Sequence, residues 1–558
     1  MELRPQRAAA LAAALLAALV AATPAWGAND TPRLPPSQTK PPTGYRLTGK
    51  QAIAVADRDQ KVRDERDKRG RLTPYAYVMG MRQWQVSYFQ GGKERAQVTI
   101  DDATGAVLEA WTGPQVAWKM ARGYQNAFAG KLNAPYVFLP LALVFLAPFV
   151  HLRRLRRLLH LDLLVLLAFG ASHFFFNRGE ISASVPLAYP VLAYLLARLL
   201  WEGFRPGRSR TPLIPHVPIT WLPLALVFLV GFRVALNVTD SNVIDVGYAG
   251  VIGADRIEHG RDLYDGRFPK DNEHGDTYGP ADYLAYVPFE AAFPWGGKWD
   301  DLPAAHAAAI FFDLATLLGL LVLGRRLRAG PEGNALGVAL AYAWAAYPYT
   351  LYALDSNSND TLVAAVLVWA LVALRSPPLR GVLIGIGAAA KFVPLALAPL
   401  FAASRSRRPG RALWFSLALA AVLVAAFAAF VPDGGIRELY DRTLGYQLGR
   451  ASPFSIWGQH AGLAPLWLAV KAGAIALAVL VAFIPRQRSA VQIAALGGAV
   501  LVAVQIAAAH WFYLYVVWFA GFAFVAFFGR YETWAPPPPR GVTAEGKAEG
   551  GRRKAVVA

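Results

Sequence analysis

The sequence predicts a mainly α protein, a polytopic bundle of transmembrane helices preceded by a small extracytoplasmic α+β domain. Three observations predict it. The 558 residues are 55% hydrophobic and only 17% charged, too apolar for the surface a soluble chain of that length must cover. The apolar residues gather in runs of about 17–25, the length that crosses a hydrocarbon layer. The basic residues behind the formal charge of +19 sit in short clusters between those runs, as cytoplasmic loops do. That placement argues against nucleic acid as a partner. The chain has no cysteine, which removes disulfide and thiol chemistry.

The first element is residues 1–27, a basic stretch from Met1 to Arg7, an Ala/Leu run to Val20 and small residues at Ala25, Gly27 and Ala28. This reads as a signal peptide cleaved after Gly27, with an uncleaved anchor helix as the alternative. Either delivers the following segment outside. Residues 28–46 are rich in proline and polar side chains and read as a linker. Residues 47–131 have the composition of a soluble domain. A helix is expected over Gly49–Lys68, then strands over Trp84–Phe89, Ala96–Ile100 and Val107–Trp111, where side chains alternate at period two. Asp101 to Gly105 is a turn signal. The hairpin from Val98 to Val107 resembles the end of a PepSY repeat, which implies an interaction module rather than a catalyst.

Residues 132–214 hold the first transmembrane helices and residues 215–530 a larger transmembrane domain. Eleven spans are expected between residues 134 and 529. Basic clusters such as Arg153–Arg157, Arg325–Arg328 and Arg486–Arg488 place their loops inside, and the long loop from Thr239 to Pro303 then lies outside. The segment from Gly381 to Ala403 is flanked by basic residues on both sides and carries Lys391 at its middle, a costly place for a charge in lipid. A re-entrant hairpin with Lys391 near its tip removes both conflicts. The C-terminus then falls in the cytoplasm, with residues 531–558 a disordered basic tail, and the whole is a multi-pass protein of the cell membrane.

Chemistry is sought in the outer loops. Asp245 follows the end of a span and is succeeded by Gly247 and Tyr248. A carboxylate held at a helix end against the membrane face is partly desolvated, which suits a general base; loops also carry many carboxylates with no such role. After Asp245 and Tyr248 come Gly260, Leu263 and Tyr264, then Tyr278, Pro280, Tyr283 and Pro288, later Lys391-Phe-Val-Pro394, and finally His510-Trp-Phe-Tyr-Leu-Tyr515 with Trp518. This order, over residues 215–530, resembles the GT-C glycosyltransferases, especially the glycosyltransferase family 87-like branch.

The resemblance implies transfer of a sugar from a polyprenyl-phosphate donor to an acceptor hydroxyl on a glycan, lipid or protein, on the outer face and with inversion. Asp245 would take the acceptor proton. Lys391 would stabilise the departing phosphate, or else snorkel or serve a structural pair; Arg233 is a second candidate cation. Tyr248, Tyr264 and Tyr278 would line the substrate site. Asn357, Asn359 and Asp360 would hydrogen-bond sugar hydroxyls, or cap the helix that follows. His510 is either a substrate contact or a hydrogen-bonded interface residue. The loop holding Arg437, Tyr446 and Arg450 suits a phosphate and a sugar ring, or an interfacial helix. No cofactor is required; a divalent metal on Asp245 with Asp255 or Glu258 is the alternative. Besides donor and acceptor, membrane lipids are the expected partners. Rival readings are a flippase for a lipid-linked intermediate, and a scaffold that binds partners through the outer domain.

Overall fold

The computed structural model describes residues 32–79, 82–117, 132–403, 409–450 and 452–533. The expected signal peptide and most of the expected tail lie outside these residues.

The N-terminal domain pairs two helices with one sheet. Helix α1, Gly49–Ala56, starts where Thr48 and Gln51 cap each other reciprocally, and it buries Ala52 and Ala56. Helix α2, Gln60–Arg69, starts at Asp59, whose carboxylate accepts from the Lys61 N–H. The single helix expected here is therefore two, because Asp59 takes an extended conformation and caps afresh. Strands β1 (Thr73–Met79), β2 (Gln83–Gln90), β3 (Lys93–Asp101) and β4 (Val107–Thr112) form an antiparallel meander in chain order. The expected strands are present, and β1 is an additional one. Pro74 obscured it, and β1 is an edge strand, where proline is tolerated. Trp84, Val86 and Tyr88 alternate inward against Ala52, Ala56 and Val62. The Asp102 carboxylate accepts from the Arg46 and Leu47 N–H groups and from Trp84 Nε1, tying the incoming chain to the sheet.

The rest of the chain is a helical bundle. Among the described residues seven helices are long and apolar enough to cross a membrane: Leu158–Phe176, Ile181–Phe204, Trp221–Thr239, Pro303–Leu327, Gly410–Ala428, Ala461–Phe483 and Ala490–Ala507. The other expected spans are shorter or broken. Pro135–Leu146, Asp360–Val372 and Val516–Phe528 have 12, 13 and 13 residues, and 13 residues rise only about 20 Å. The expected span over 335–354 breaks at Tyr347, before Pro348. Nearly every residue of Asp360–Val372 and Val516–Phe528 is buried. Short helices are tolerated at membrane depth when protein encloses their ends.

The segment around Lys391 reverses direction. Helix Pro377–Ala390 ends at Lys391, and a 3-10 turn, Val393–Leu397, leads into Ala398–Ala403. Arg380 Nε, near the start of the first arm, donates to Phe401 O at 2.8 Å, near the end of the second. A Cβ on Gly387 would lie 3.2 Å from Pro394, so the two arms touch beside the tip. Lys391 stands at that tip.

The early helices are welded to the last one. Arg198 Nε contacts Asp162 at 2.9 Å and its Nη1 contacts Glu202 at 2.7 Å, while Arg530 also pairs with Glu202. Ser209–Pro212 runs parallel to Tyr531–Glu532. Residues 132–214 are thus part of the same bundle.

Candidate active site

Three distant segments meet around Lys391. The first is the start of helix Asp245–Glu258. The chain before it runs along the 355–356 backbone, with Asn242 N donating to Asp355 O and Ile244 N to Ser356 O, both at 3.2 Å. Gly247 then sits against this second segment so closely that a Cβ would lie 2.2 Å from Asn357 O. Asn357 adopts φ +48°, and its side-chain amide donates to Ser241 Oγ and Asn242 O and accepts from Asn237 Nδ2. The third segment is the hairpin tip. Gly279 N donates to Ala390 O at 3.0 Å, and a Cβ there would lie 2.0 Å from Ala389 O. Glycine is required at 247 and 279 because backbone must touch backbone.

Lys391 is anchored rather than loose. Its Nζ lies 2.5 Å from Asp360 Oδ1, and Trp518 Nε1 donates to the same oxygen at 2.9 Å. Ser358 Oγ donates to the other oxygen. The ammonium also faces the rings of Tyr278, Trp518 and Tyr515 at 5.4, 5.5 and 6.0 Å, within the range of cation–π attraction. An ammonium has three donors; Asp360 takes one.

Asp245 opens its helix, where its Oδ1 accepts from the Val246 N–H at 3.0 Å. Its side chain is exposed, and it lies near enough to Arg450 and Lys391 to feel both charges. Burial raises its pKa; the Arg450 charge, the Val246 N–H and the Lys391 charge oppose the rise, and Asp360 adds to it. His510 feels the same two cations. Burial pushes its pKa well below the usual range, helped by Arg450 and Lys391, so it is neutral, with Nδ1 2.8 Å from Ser452 Oγ. The phenol of Tyr278 feels Asp245, Tyr515 and Arg450. One carboxylate of raised basicity, two cations and a neutral imidazole thus act on one another around Lys391.

Arg450 arrives from the far side. Helix Gly435–Tyr440, a π turn at Asp441–Gly445 and helix Tyr446–Gly449 lead up to it. Arg442 Nη1 donates to Asp276 Oδ2 at 2.8 Å and Gln447 Nε2 to Thr277 Oγ1 at 3.2 Å. These bonds dock the segment on the loop that carries Tyr278. Ile436 and Leu448, 76% and 64% exposed, give it the apolar outer side of an interfacial helix.

The other expected site residues are distributed as follows. Tyr264 is buried and donates from Oη to Tyr278 O at 2.9 Å, so it positions the Tyr278 backbone. Tyr248 is buried and stacks on Trp299 at 4.9 Å. Asn357 spends its amide on the loop, as described above. Asn359 Nδ2 donates to Asp282 Oδ2 at 2.8 Å, and Asn359 makes no side-chain cap of the helix after it. Asp360 belongs to Lys391. Arg233 is not part of this group: it lies 1% exposed within the helix Trp221–Thr239, with Nη2 2.6 Å from Asp313 Oδ1 and further bonds to Ala345 O, Thr350 O and Thr350 Oγ1. Its charge and donors are committed to joining its own helix to three others. Asp255, considered as a metal ligand with Asp245, pairs with Arg261 at 2.8 Å, and ten helical residues separate it from Asp245 by about 15 Å. Among the described residues no three His, Asp or Glu side chains gather as metal ligands do.

Two participants were not singled out from the sequence. Arg450 sat in a loop whose Arg and aromatic residues fit an interfacial helix equally well. Asp282 sat inside the Tyr-x-Pro-x-x-Tyr pattern, four residues after Tyr278, as an ordinary first-turn acid. Only its burial marks it.

No curated protein matches the chain. Residues 277–527 match the family described as Glycosyltransferase family 87. The match takes in Tyr278, the 357–360 loop, Lys391, Arg450 and His510, and begins after Asp245. Through this segment, somewhat under half of its length, the chain is similar to glycosyltransferase family 87.

Proposed function

We propose that this glycosyltransferase moves a sugar from a polyprenyl phosphate to an acceptor hydroxyl at the outer face of the membrane, with inversion. The observation that carries the reading is the approach of Asp245 to the charges of Lys391 and Arg450, near enough for each to act on its carboxylate. Asp245 accepts the proton of the acceptor hydroxyl as its oxygen attacks the anomeric carbon. The bond from that carbon to the phosphate oxygen breaks, and the lipid phosphate leaves with the electron pair. Lys391 and Arg450 stabilise the negative charge that grows on it. Charge fixed in advance inside a low-dielectric site needs no reorganisation as the reaction proceeds. The Asp360 pair orients Lys391 and leaves two of its N–H groups for phosphate oxygens. Tyr278 and Tyr515 flank the ammonium with faces suited to a sugar ring.

The outer domain lies on the acceptor side in this reading and recruits or admits the acceptor. Gln115 Nε2, just after its last strand, donates to Gly179 O at 3.2 Å, in the loop between the helices Leu158–Phe176 and Ile181–Phe204.

The test is incubation of the purified protein in liposomes with a radiolabelled polyprenyl-phosphate sugar and a mixed glycan acceptor. Release of free polyprenyl phosphate with label on the acceptor is expected. Movement of intact donor between leaflets without bond cleavage would replace this reading with the flippase.

A further inference from the structure

Asp282 is fully buried, on the first turn of the helix Pro280–Glu290. Its Oδ2 accepts from Asn359 Nδ2 at 2.8 Å. Its Oδ1 has no hydrogen-bond partner among the described residues, and neither has the Oδ1 of Asn359. Two buried acceptors without donors, on two side chains already joined by one bond, are costly as they stand. A single proton cures both. A carboxylic acid and a primary amide form a closed ring, the acid carbonyl accepting from the amide N–H and the acid O–H donating to the amide oxygen. We propose that Asp282 carries a proton and forms such an acid–amide ring with Asn359, a positioning element that sets the charge of the Lys391 pocket.

The surroundings agree. Lys391 and Asp360 are the charged groups that act on Asp282, and no charged group of the helices Asp245–Glu258, Pro303–Leu327 or Pro409–Ala428 packed near it does so among the described residues. The phenols of Tyr264, Tyr278, Tyr283 and Tyr286 lie near enough to feel its charge. Burial raises its pKa to about 7, against the pull of Lys391 and the Asn359 bond. Lys391 already serves Asp360. An ionised Asp282 would set a second carboxylate against the same ammonium and weaken its hold on an incoming phosphate. The ring therefore keeps Lys391 available, and does so only below the pKa of Asp282. This consequence rests on the proposed phosphate-linked donor; the ring itself does not.

The test uses infrared difference spectroscopy of the full chain in nanodiscs, with carbon-13 aspartate and no substrate. Wild type is expected to show a protonated-carboxyl C=O band that fades as pH rises through neutrality and is missing from D282N, where amide pairs with amide. Asn359→Leu is expected to move that band to higher frequency by removing its partner. No band in wild type, a band unchanged in D282N, or an unshifted band in N359L overturns the ring. With donor present, the wild-type KM for donor is expected to rise above neutrality by on the order of tenfold, the effect of one charge over about 10 Å at an effective dielectric near 20. D282N is expected to show a flat profile. A KM that climbs equally in D282N overturns the link to Lys391, and the absence of any transfer with the band present removes the proposed function and leaves the ring standing.

Discussion

At the scale of single residues, Lys391 and Asp245 differ in how they are held. Lys391 is paired, caged by rings and seated where a helix stops. Replacing it by Met strands Asp360 as a buried, unpaired carboxylate, a loss of about 3–5 kcal/mol in comparable cases. Lys391→Met is therefore expected to lower the unfolding midpoint as well as activity. Lys391→Arg keeps the charge and is expected to retain most of the stability while losing transfer rate, since a planar fork does not fit a seat cut for an ammonium. Thermal unfolding and turnover measured on both variants check this. Asp245 makes a pH prediction. A base must be ionised to work, and burial raises this one, so activity is expected to fall on acidification at a pH above the ordinary aspartate range. A kcat/KM profile on the acid side measures it; a fall only near the ordinary aspartate value contradicts the expected desolvation.

At the scale of elements, the site depends on close backbone approach. Gly279 holds the Tyr278 loop to the hairpin tip, with no room for a Cβ against Ala389 O. Gly279→Ala is expected to push the loop from the tip and cut activity on the order of a hundredfold, the cost of a misplacement of about 1 Å, while the bundle stays folded. Wild-type activity in that variant would mean the loop does not position the site. The elements were unequally legible. The reversal at Lys391 was readable because a charge in mid-segment and basic flanks on both sides left few other arrangements. The alternating strands and the Asp101–Gly105 turn were readable from period and turn chemistry. The two outer-domain helices merged into one because a cap such as Asp59 has the same composition as a helical surface. The buried short helices looked like full spans because apolar composition is the same for a side facing lipid and a side facing protein.

At the scale of the whole molecule, the site could be read only in part. Asp245, Lys391 and the 357–360 loop were each visible as unusual residues in an apolar chain, and the order of Asp245, the tyrosines and prolines of 264–288, Lys391 and the 510–518 aromatics carried the family resemblance. Their roles relative to one another were not visible. Asp360 as the partner of Lys391, Asn357 as a loop brace and Arg233 as a helix joint are set by tertiary contacts between residues 31 to 120 positions apart. The outer domain is expected to act on acceptor use rather than on chemistry. Removing residues 32–117 is expected to leave hydrolysis or slow transfer of donor intact and to raise the KM for acceptor or narrow the acceptor range. Unchanged acceptor kinetics in that truncation would show that the domain serves another purpose.

The central claim is that Asp245 removes the acceptor proton within reach of Lys391 and Arg450. Single-turnover transfer by Asp245→Asn, with unfolding midpoint and donor affinity measured alongside, tests it most directly. A fall in rate of about 10²–10⁴-fold, the contribution of a positioned general base, with folding and donor binding preserved, is expected. Transfer at the wild-type rate would contradict it.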